Sequence, residues 1–207
     1  MKQMKKTIIK VLDMIGQLLS HIPFAISFIN ASSVLNRIYT GYIRHKFKKI
    51  GNSVISYKPL FLYGCKNIEI GNNTTLEKDL QLTSWGGRIH IGNRCLIRRG
   101  AHISAANSIV IGDNLLTGTN ILITDNSHGD TDNKTLNIPP VERPIFSKGH
   151  VKIGNNVWLG NNVCILSNVT IGDCVVIGAN SVVTHNIPSY AIAAGIPARI
   201  IKINKTT

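Results

Sequence analysis

The sequence has few aromatic and few acidic residues. Phe, Trp and Tyr make up 6% of its 207 residues, and 10 Asp and Glu oppose 23 Lys and Arg. The low aromatic content suits a narrow core filled by Ile, Leu and Val. A strong positive charge is typical of proteins that bind nucleic acids, anionic membrane surfaces or anionic ligands. Because no nucleic-acid-binding motif and no aromatic platform is evident, we expect a membrane surface or an anionic ligand and no nucleic acid.

The four cysteines lack the spacing of redox or metal sites. Cys65, Cys95, Cys164 and Cys174 form no CxxC pair and no zinc-ligand pattern. We therefore expect reduced packing cysteines, a cytoplasmic location and no metal requirement.

The dominant pattern is an apolar residue at every sixth position between Val151 and Asn186. The segment reads VKIGNNVWLGNNVCILSNVTIGDCVVIGANSVVTHN. A helix places apolar residues three and four apart and a strand two apart, so a period of six predicts short strands joined by repeated turns. The intervening Gly and Asn suit such turns because both tolerate positive φ. The aliphatic positions in phase are Ile153, Leu159, Ile165, Ile171, Ile177 and Val183.

The same phase continues upstream in triplets separated by two or three extra residues, which a solenoid absorbs at its corners. The triplets predict about six coils within residues 50–203, preceded by a separate segment, residues 1–49. The upstream positions are Ile50, Leu62, Ile70, Leu76, Leu82, Ile91, Ile97, Ile103, Ile111, Thr117 and Ile123.

This repeat resembles the hexapeptide-repeat acyltransferases, in which three hexads form one triangular coil of a left-handed parallel β-helix. The resemblance covers Ile50 to Ile203, and GIPARIIK at 195–202 matches the closing motif of the family. It implies an all-β solenoid, a homotrimer with sites between subunits, and acetyl-CoA as the donor. The left hand comes from the resemblance alone, since parallel crossovers are usually right-handed.

The N-terminal segment has helical periodicity. Apolar residues from Ile8 to Ile22 are spaced three and four apart, lysines lie mainly on the other side, and Pro23 should end or kink the helix. Three interpretations are open for residues 1–36: an amphipathic helix on an anionic membrane surface, a helix packed on the solenoid end or a neighbouring subunit, and a membrane span. Polar residues within the apolar run argue against a membrane span. A signal peptide is also disfavoured, because the segment has no clear cleavage site. Residues 37–49 predict a second, basic helix.

One joint of the repeat is much longer than the others. After Ile123 the phase resumes only at Ile153, so residues 129–152 should leave the solenoid as a polar, proline-containing excursion loop. His128 directly precedes this loop. Its neutral imidazole would be a suitable general base for a hydroxyl group.

Asp125 is the local candidate for orienting the His128 ring, because a carboxylate on the second nitrogen fixes the tautomer. Asp130 and Glu142 are rivals for that role, and His102 is a weaker candidate for acceptor contact. The D-x-x-H-G pattern is similar to the sugar O-acetyltransferase branch of the family, where this His is the general base.

The resemblance also implies a donor groove along successive coils, with small residues beside the pantetheine arm and cations near the phosphates. Backbone amides near the loop and Gly160 are expected to stabilise the oxyanion. Where the family often has Lys-Asp, this chain has His185-Asn186, so Arg199 should contribute more to phosphate binding. The matching positions are Trp158, Gly160, Asn161, Ala179, Thr184, Arg199 and Lys202.

We therefore expect an O-acetyltransferase whose acceptor is a carbohydrate of a bacterial surface polysaccharide or its lipid-linked precursor. It would act in the cytoplasm, at the inner face of the membrane if its N-terminal segment binds there. The alternatives are an antibiotic-inactivating acetyltransferase, a serine acetyltransferase, disfavoured because its large helical N-terminal domain is missing, and a non-catalytic scaffold. A carbonic anhydrase of the same fold requires a His-x4-His pair, and no two histidines here are five apart.

Overall fold

The computed structural model of the protein describes residues 2–19, 33–59, 61–129 and 133–204. Two helices precede six coils of three strands each, and a hairpin follows them. The helices are α1 (Lys2–Leu19), α2 (Ser33–Ile43) and α3 (Asn133–Leu136), with 3-10 turns at Arg44–Lys46, Cys65–Asn67 and Pro140–Glu142.

The strands are named in chain order. Coils 1 to 3 contain β1 (Lys49–Ile50), β2 (Ile55–Ser56), β3 (Phe61–Tyr63), β4 (Ile68–Ile70), β5 (Thr75–Leu76), β6 (Gln81–Ser84), β7 (Arg88–Ile91), β8 (Leu96–Ile97) and β9 (His102–Ala105). Coil 4 contains β10 (Ser108–Ile111), β11 (Leu116–Thr117) and β12 (Leu122–Thr124), and β13 (Ser127–His128) and β14 (Ile145–Phe146) follow in the excursion. Coils 5 and 6 and the hairpin contain β15 (Val151–Ile153), β16 (Trp158–Leu159), β17 (Cys164–Ile165), β18 (Val169–Ile171), β19 (Val176–Ile177), β20 (Val182–Val183), β21 (Ala191–Gly195) and β22 (Ala198–Ile203).

Each coil contributes one strand to each of three parallel sheets, which form the sides of a triangular solenoid. The first sheet begins with β1, the second with β2 and the third with β3, and each contains one strand from every coil. After coil 6, an isolated bridge between Ile187 and Ile171 and the strand β21 begin a seventh turn. The predicted all-β solenoid, the left-handed parallel β-helix, is confirmed.

The core contains the residues that the six-residue phase selected. From Ile70 to Val183, every in-phase position is at most 1% exposed, and the inward valines between them are equally buried. Leu62 in coil 1 differs, because it is only partly buried against this core. The spacing within each hexad therefore determines which side chains point inwards.

A ladder of polar side chains stabilises the corners between the first and second sheets. At each step a side-chain oxygen accepts the backbone N–H of the corresponding residue one coil earlier, as from Asn52 to Asn72 and from Asn155 to Asp173. Adjacent residues such as Asn114 and Asn156 take φ values near +60°, a conformation in which Asn is several-fold enriched. The acceptors are Asn72, Asn93, Asp113, Asn155, Asp173 and Ser189.

The cysteines are all free thiols in the structure. Cys95 is buried in the core, and this burial raises its pKa. Cys174 instead lies at a corner with φ of 56°, in a position that Asn takes in other coils.

The N-terminal helices pack on each other at two glycines. A Cβ on Gly16 would overlap the carbonyl of Ile38, and one on Gly41 would overlap the carbonyl of Asp13. The helix α2 begins before residues 37–49, the basic segment that was expected to form it. It caps the solenoid, since Thr40 Oγ1 accepts a 2.7 Å hydrogen bond from the Ser56 N–H. No helix within the described residues is long and apolar enough to cross a membrane. The expected kink at Pro23 lies outside those residues.

Candidate active site

A cleft of about 650 Å³ lies on the outer face of the third sheet. Alternate side chains of a strand point to opposite faces, so the residues between the core positions of coils 1 to 4 form the floor of this cleft. The excursion forms one wall. The floor contains Phe61, Gln81, Thr83, Trp85, His102, Ser104, Leu122, Thr124 and Asn126, and the wall contains His128, Val141, Arg143 and Ile145.

His128 lies on this wall because the excursion folds back as a hairpin. The strand β13 pairs antiparallel with β14, with His128 opposite Ile145, and the Gly129 N–H donates to the Pro144 carbonyl at 2.8 Å. The His128 side chain is exposed. Its imidazole makes no hydrogen bond to any residue that the structure describes, so both ring nitrogens are available to a ligand.

The base of the excursion packs tightly behind His128. Gly129 has φ of 73°, and a Cβ there would meet the side chain of Arg143. The Arg143 guanidinium donates to the carbonyls of Ile138 at 2.8 Å and Leu136 at 3.0 Å. The solenoid resumes at Val151, two residues earlier than the restart expected at Ile153.

Asp125 has partners other than the expected imidazole. Its side chain is fully buried and accepts the backbone N–H groups of Ala106 at 2.7 Å, Asn107 at 2.9 Å and Ser108 at 2.6 Å. The Asn126 amide donates a further bond at 3.2 Å. The described contacts of Asp125 therefore hold the corner of coil 3 in place, and none of them involves His128. Its rival Asp130 lies outside the described residues, and Glu142 is exposed in the excursion.

His102 lines the same cleft as His128, a closeness that the six-residue spacing did not reveal. It is partly buried on β9, and its Nε2 lies 3.3 Å from Thr83 Oγ1 in the previous coil. Burial lowers its pKa below the ordinary 6.5, which favours the neutral ring. The outward positions of neighbouring coils, once aligned in register, would have identified this residue as a candidate.

Four of the expected donor residues lie close together where the second sheet turns into the third. Trp158 is an exposed outward residue of β16, and Gly160 and Asn161 follow on the same coil. A Cβ on Gly160 would overlap the backbone of Ala179 on the next coil, so this corner has a smooth backbone surface. The Gly160 N–H donates to the Ile177 carbonyl at 2.8 Å. The expectation that it binds the oxyanion is therefore wrong for this geometry.

The other three donor residues are less closely grouped. Arg199 is paired with Ala194, which lies against Gly178, so this part of the hairpin continues the line of the Gly160 corner. Lys202 pairs with Ile192 further along the hairpin. Thr184 follows β20 at another corner of the triangle, and its hydroxyl contacts His185 Nδ1 at 2.8 Å.

A second depression of about 470 Å³ brings Arg199 beside His185 and Asn186 at the C-terminal end of the solenoid. None of the seven expected donor residues lines the cleft of His128. Within one chain, the candidate base and the candidate donor groove are therefore separate. Among the described residues, no three His, Cys, Asp or Glu side chains are arranged to hold a metal ion.

Known proteins resemble this chain in both sequence and structure. The family model for the bacterial transferase hexapeptide (six repeats) matches residues 150–185. WbbJ of Escherichia coli K12, named as a lipopolysaccharide biosynthesis O-acetyl transferase, is 38% identical over 149 residues, which are 70% of this chain and 76% of that protein. The galactoside O-acetyltransferase of the same organism is 36% identical over 138 residues, 64% of this chain and 62% of that protein.

A solved structure extends the likeness to the fold. A galactoside acetyltransferase in complex with coenzyme A superposes with a TM-score of 0.60 at 27% identity, covering 95% of this chain and 82% of the other. Its match reaches beyond the repeat into the N-terminal helices. The repeat, the fold and the relatives together show that this chain belongs to the hexapeptide-repeat acyltransferase family.

Proposed function

We propose that this protein is a sugar O-acetyltransferase that transfers the acetyl group of acetyl-CoA to a hydroxyl of a carbohydrate. The observation that carries the proposal is the imidazole of His128, which is exposed on the wall of the cleft and makes no hydrogen bond to the residues that the structure describes. Two relatives named as O-acetyl transferases, one for lipopolysaccharide biosynthesis and one for galactosides, support the reaction and the acceptor class.

His128 acts as the general base in this reaction. As the acceptor oxygen bonds to the thioester carbonyl carbon, its proton passes to the neutral imidazole. The tetrahedral oxyanion then collapses, the carbon–sulfur bond breaks, and the leaving thiolate takes the proton from the imidazolium. The products are the acetyl ester and CoA, and His128 returns to its neutral form. Such proton transfer contributes typically ~10²–10⁴-fold to the rate.

Asp125 takes no direct part in the proton transfer. Its four hydrogen bonds fix the corner of coil 3 and the start of the segment that leads to His128. In this proposal it positions the base by holding its backbone, without touching the imidazole.

The donor binds along the Gly160 corner, with its phosphates near Arg199 and Lys202. Since this groove and the His128 cleft are separate within one chain, a neighbouring copy supplies the groove that faces each His128. We propose a homotrimer, in which each of three equivalent interfaces carries one complete site.

The acceptor is a surface polysaccharide or its lipid-linked precursor, and α1 holds the enzyme at the inner face of the membrane. One side of α1 packs on α2, while the other exposes the apolar residues Ile8, Val11, Met14, Ile15 and Leu18. Lysines in the same helix favour an anionic lipid surface. This proposal keeps the membrane-surface interpretation, while the packing of α1 on α2 differs from the expected packing on the solenoid end or a neighbouring subunit.

The test uses purified protein, acetyl-CoA and the surface polysaccharide of the source cells after removal of its O-acetyl groups by mild base. We expect thiol release that depends on the polysaccharide, and a product heavier by one acetyl group in mass spectrometry. Acetyl-CoA binding without transfer to any carbohydrate would refute the proposal and favour a scaffold. Transfer to an aminoglycoside or chloramphenicol instead would favour antibiotic inactivation.

A further inference from the structure

Two exposed aromatic rings form a platform away from His128, where Trp85 lines the cleft and Tyr63 packs against Trp85. Tyr63 and Trp85 have ring centroids 4.8 Å apart and ring planes tilted by 38°. Tyr63 is 48% exposed and Trp85 is 44% exposed. They are 22 positions apart in the sequence, so the platform exists only because coils 1 and 2 stack.

The platform has a rigid base. Tyr63 is paired with Thr83 in the ladder between β3 and β6, and the backbone N–H of Trp85 donates to the Ala105 carbonyl at 2.8 Å. Behind the rings, the Asn67 amide donates to Ser84 Oγ at 3.2 Å. The backbone that carries both rings is therefore fixed by the solenoid, and the rings contact each other on it.

The platform is in line with the reacting centre. Trp85 occupies the same corner as Asn126 two coils later, and adjacent strands are about 4.8 Å apart. The floor between them is therefore roughly 10 Å long, and His128 lies beyond Asn126. A single sugar ring with its hydroxyl at His128 leaves the platform empty.

The chemistry of this floor suits carbohydrate. A pyranose ring presents apolar C–H groups on its faces and hydroxyls at its edges, so an aromatic face covers the former while polar side chains bind the latter. Gln81, Thr83 and His102 line the cleft beside Trp85 and supply donors and acceptors. Phe61, one coil earlier, adds a third exposed ring at the end of the cleft.

We propose that the Tyr63–Trp85 platform binds a second sugar ring, so that the acceptor is an oligosaccharide and not a monosaccharide. This inference rests on the proposed sugar acetylation. A nucleobase also stacks on aromatic rings, but its diphosphate would need cations nearby. Among the described residues that line the cleft, Arg143 is the one Lys or Arg, and its guanidinium donates to two carbonyls of the excursion. A neutral sugar therefore fits this end of the cleft better than a nucleotide.

The experiment compares acceptors of increasing length. De-O-acetylated fragments of the surface polysaccharide, size-fractionated from one to four sugars, are assayed by CoA release with wild type, Trp85→Ala, Trp85→Phe and Tyr57→Ala. Tyr57 is an exposed aromatic residue of coil 1 outside the cleft and serves as the matched control. We expect wild-type kcat/KM to rise from one to three sugars. Trp85→Ala should remove about five- to tenfold of that gain, while Trp85→Phe and Tyr57→Ala retain it.

A binding measurement tests the platform directly. The chain contains two tryptophans, so in a Trp158→Phe variant the fluorescence reports Trp85 alone. The three-sugar fragment should change this emission, whereas the one-sugar fragment should not.

Equal kcat/KM for all fragment lengths, or an equal loss for all of them in Trp85→Ala, would overturn the second-ring assignment while leaving sugar acetylation intact. Competitive inhibition by dTDP or UDP that disappears in Trp85→Ala would also overturn it and identify a nucleotide site. If no fragment of any length is acetylated, the proposed function itself fails.

Discussion

The carboxylate of Asp125 accepts a 2.6 Å hydrogen bond from the backbone N–H of Ser108, in the corner of the neighbouring coil. Two further backbone N–H groups donate to the same buried carboxylate. An acidic residue beside a candidate catalytic histidine thus has a clear structural task. These contacts predict that Asp125 contributes to the stability of the fold more than to catalysis.

Asp125→Asn should lower thermal stability more than it lowers kcat. An amide has one acceptor oxygen, so its NH₂ would face a backbone donor, and hydrogen bonds to charged groups contribute roughly 1.5–3 kcal/mol each. A loss of about 2–4 kcal/mol corresponds to a fall in Tm of roughly 4–16 °C for a chain of this size. Circular dichroism at fixed protein concentration measures it. Asp79→Asn, at an exposed corner, is the control and should change Tm little. A large loss of kcat with unchanged Tm would restore Asp125 as the partner of the imidazole.

His128→Ala should reduce kcat by ~10²–10⁴ because it removes the proposed proton acceptor. Acetyl-CoA affinity, measured by isothermal titration calorimetry, should hold, since the imidazole acts on the hydroxyl. His90→Ala, on the first sheet and outside the cleft, is the control for loss of an exposed histidine. Retention of more than about a third of wild-type kcat would contradict the role of base, and His102 would be tested next.

Arg199→Ala should raise the KM for acetyl-CoA about three- to tenfold, a modest effect because the guanidinium is exposed. The acceptor KM should stay nearly constant. Initial rates at several KCl concentrations add a check. Added salt should weaken acetyl-CoA binding less in Arg199→Ala than in wild type, because the variant has already lost one charge that salt screens. Lys152→Ala removes an exposed cation of the first sheet and should have no such effect. An effect confined to the acceptor KM would place the donor groove elsewhere.

Exposed residues of α1 should determine binding to anionic vesicles. Replacing both Val11 and Leu18 by Glu adds charge to the apolar side of the helix and should reduce sedimentation with phosphatidylglycerol vesicles at least about tenfold. Leu136→Glu, an equally exposed site on the excursion, is the matched control. Light scattering checks that both variants keep the oligomeric state of the wild type, which we propose to be a trimer. Unchanged vesicle binding by the double variant would rule out α1 as the membrane-binding element.

His102 should make the fold less stable in mild acid. Burial lowers its pKa from 6.5, so between that value and the depressed one the unfolded chain binds more protons than the folded chain. Stability therefore falls as pH decreases through this window, by at most about 1.4 kcal/mol per pH unit. Thermal unfolding of wild type and His102→Gln from pH 7.5 downwards measures it, and the variant should show a flatter profile. Glu69 and Asp113, whose carboxyl pKa values are lowered, contribute only in stronger acid.

The sequence by itself determined the solenoid, its phase and its one large interruption. A hexad is a local unit, and stacking repeats it with the same register, so the inward side chain of each strand follows from its place in the six. For that reason Ile153 and Ile171 were identified as core residues without any knowledge of the fold. The position of His128 at the only long joint was visible for the same reason.

Only the tertiary structure decided what surrounds those residues. Outward side chains such as Tyr63, Trp85 and His102 obey no six-residue rule, and the extra residues at corners change which of them stack on each other. The stacking of Tyr63 on Trp85 was therefore not predictable from the sequence. The partners of Asp125 were equally hidden, because backbone N–H groups carry no sequence signal. Which side of α1 packs on α2 and which stays exposed depended on the meeting of Gly16 and Gly41, a long-range contact that local periodicity does not encode.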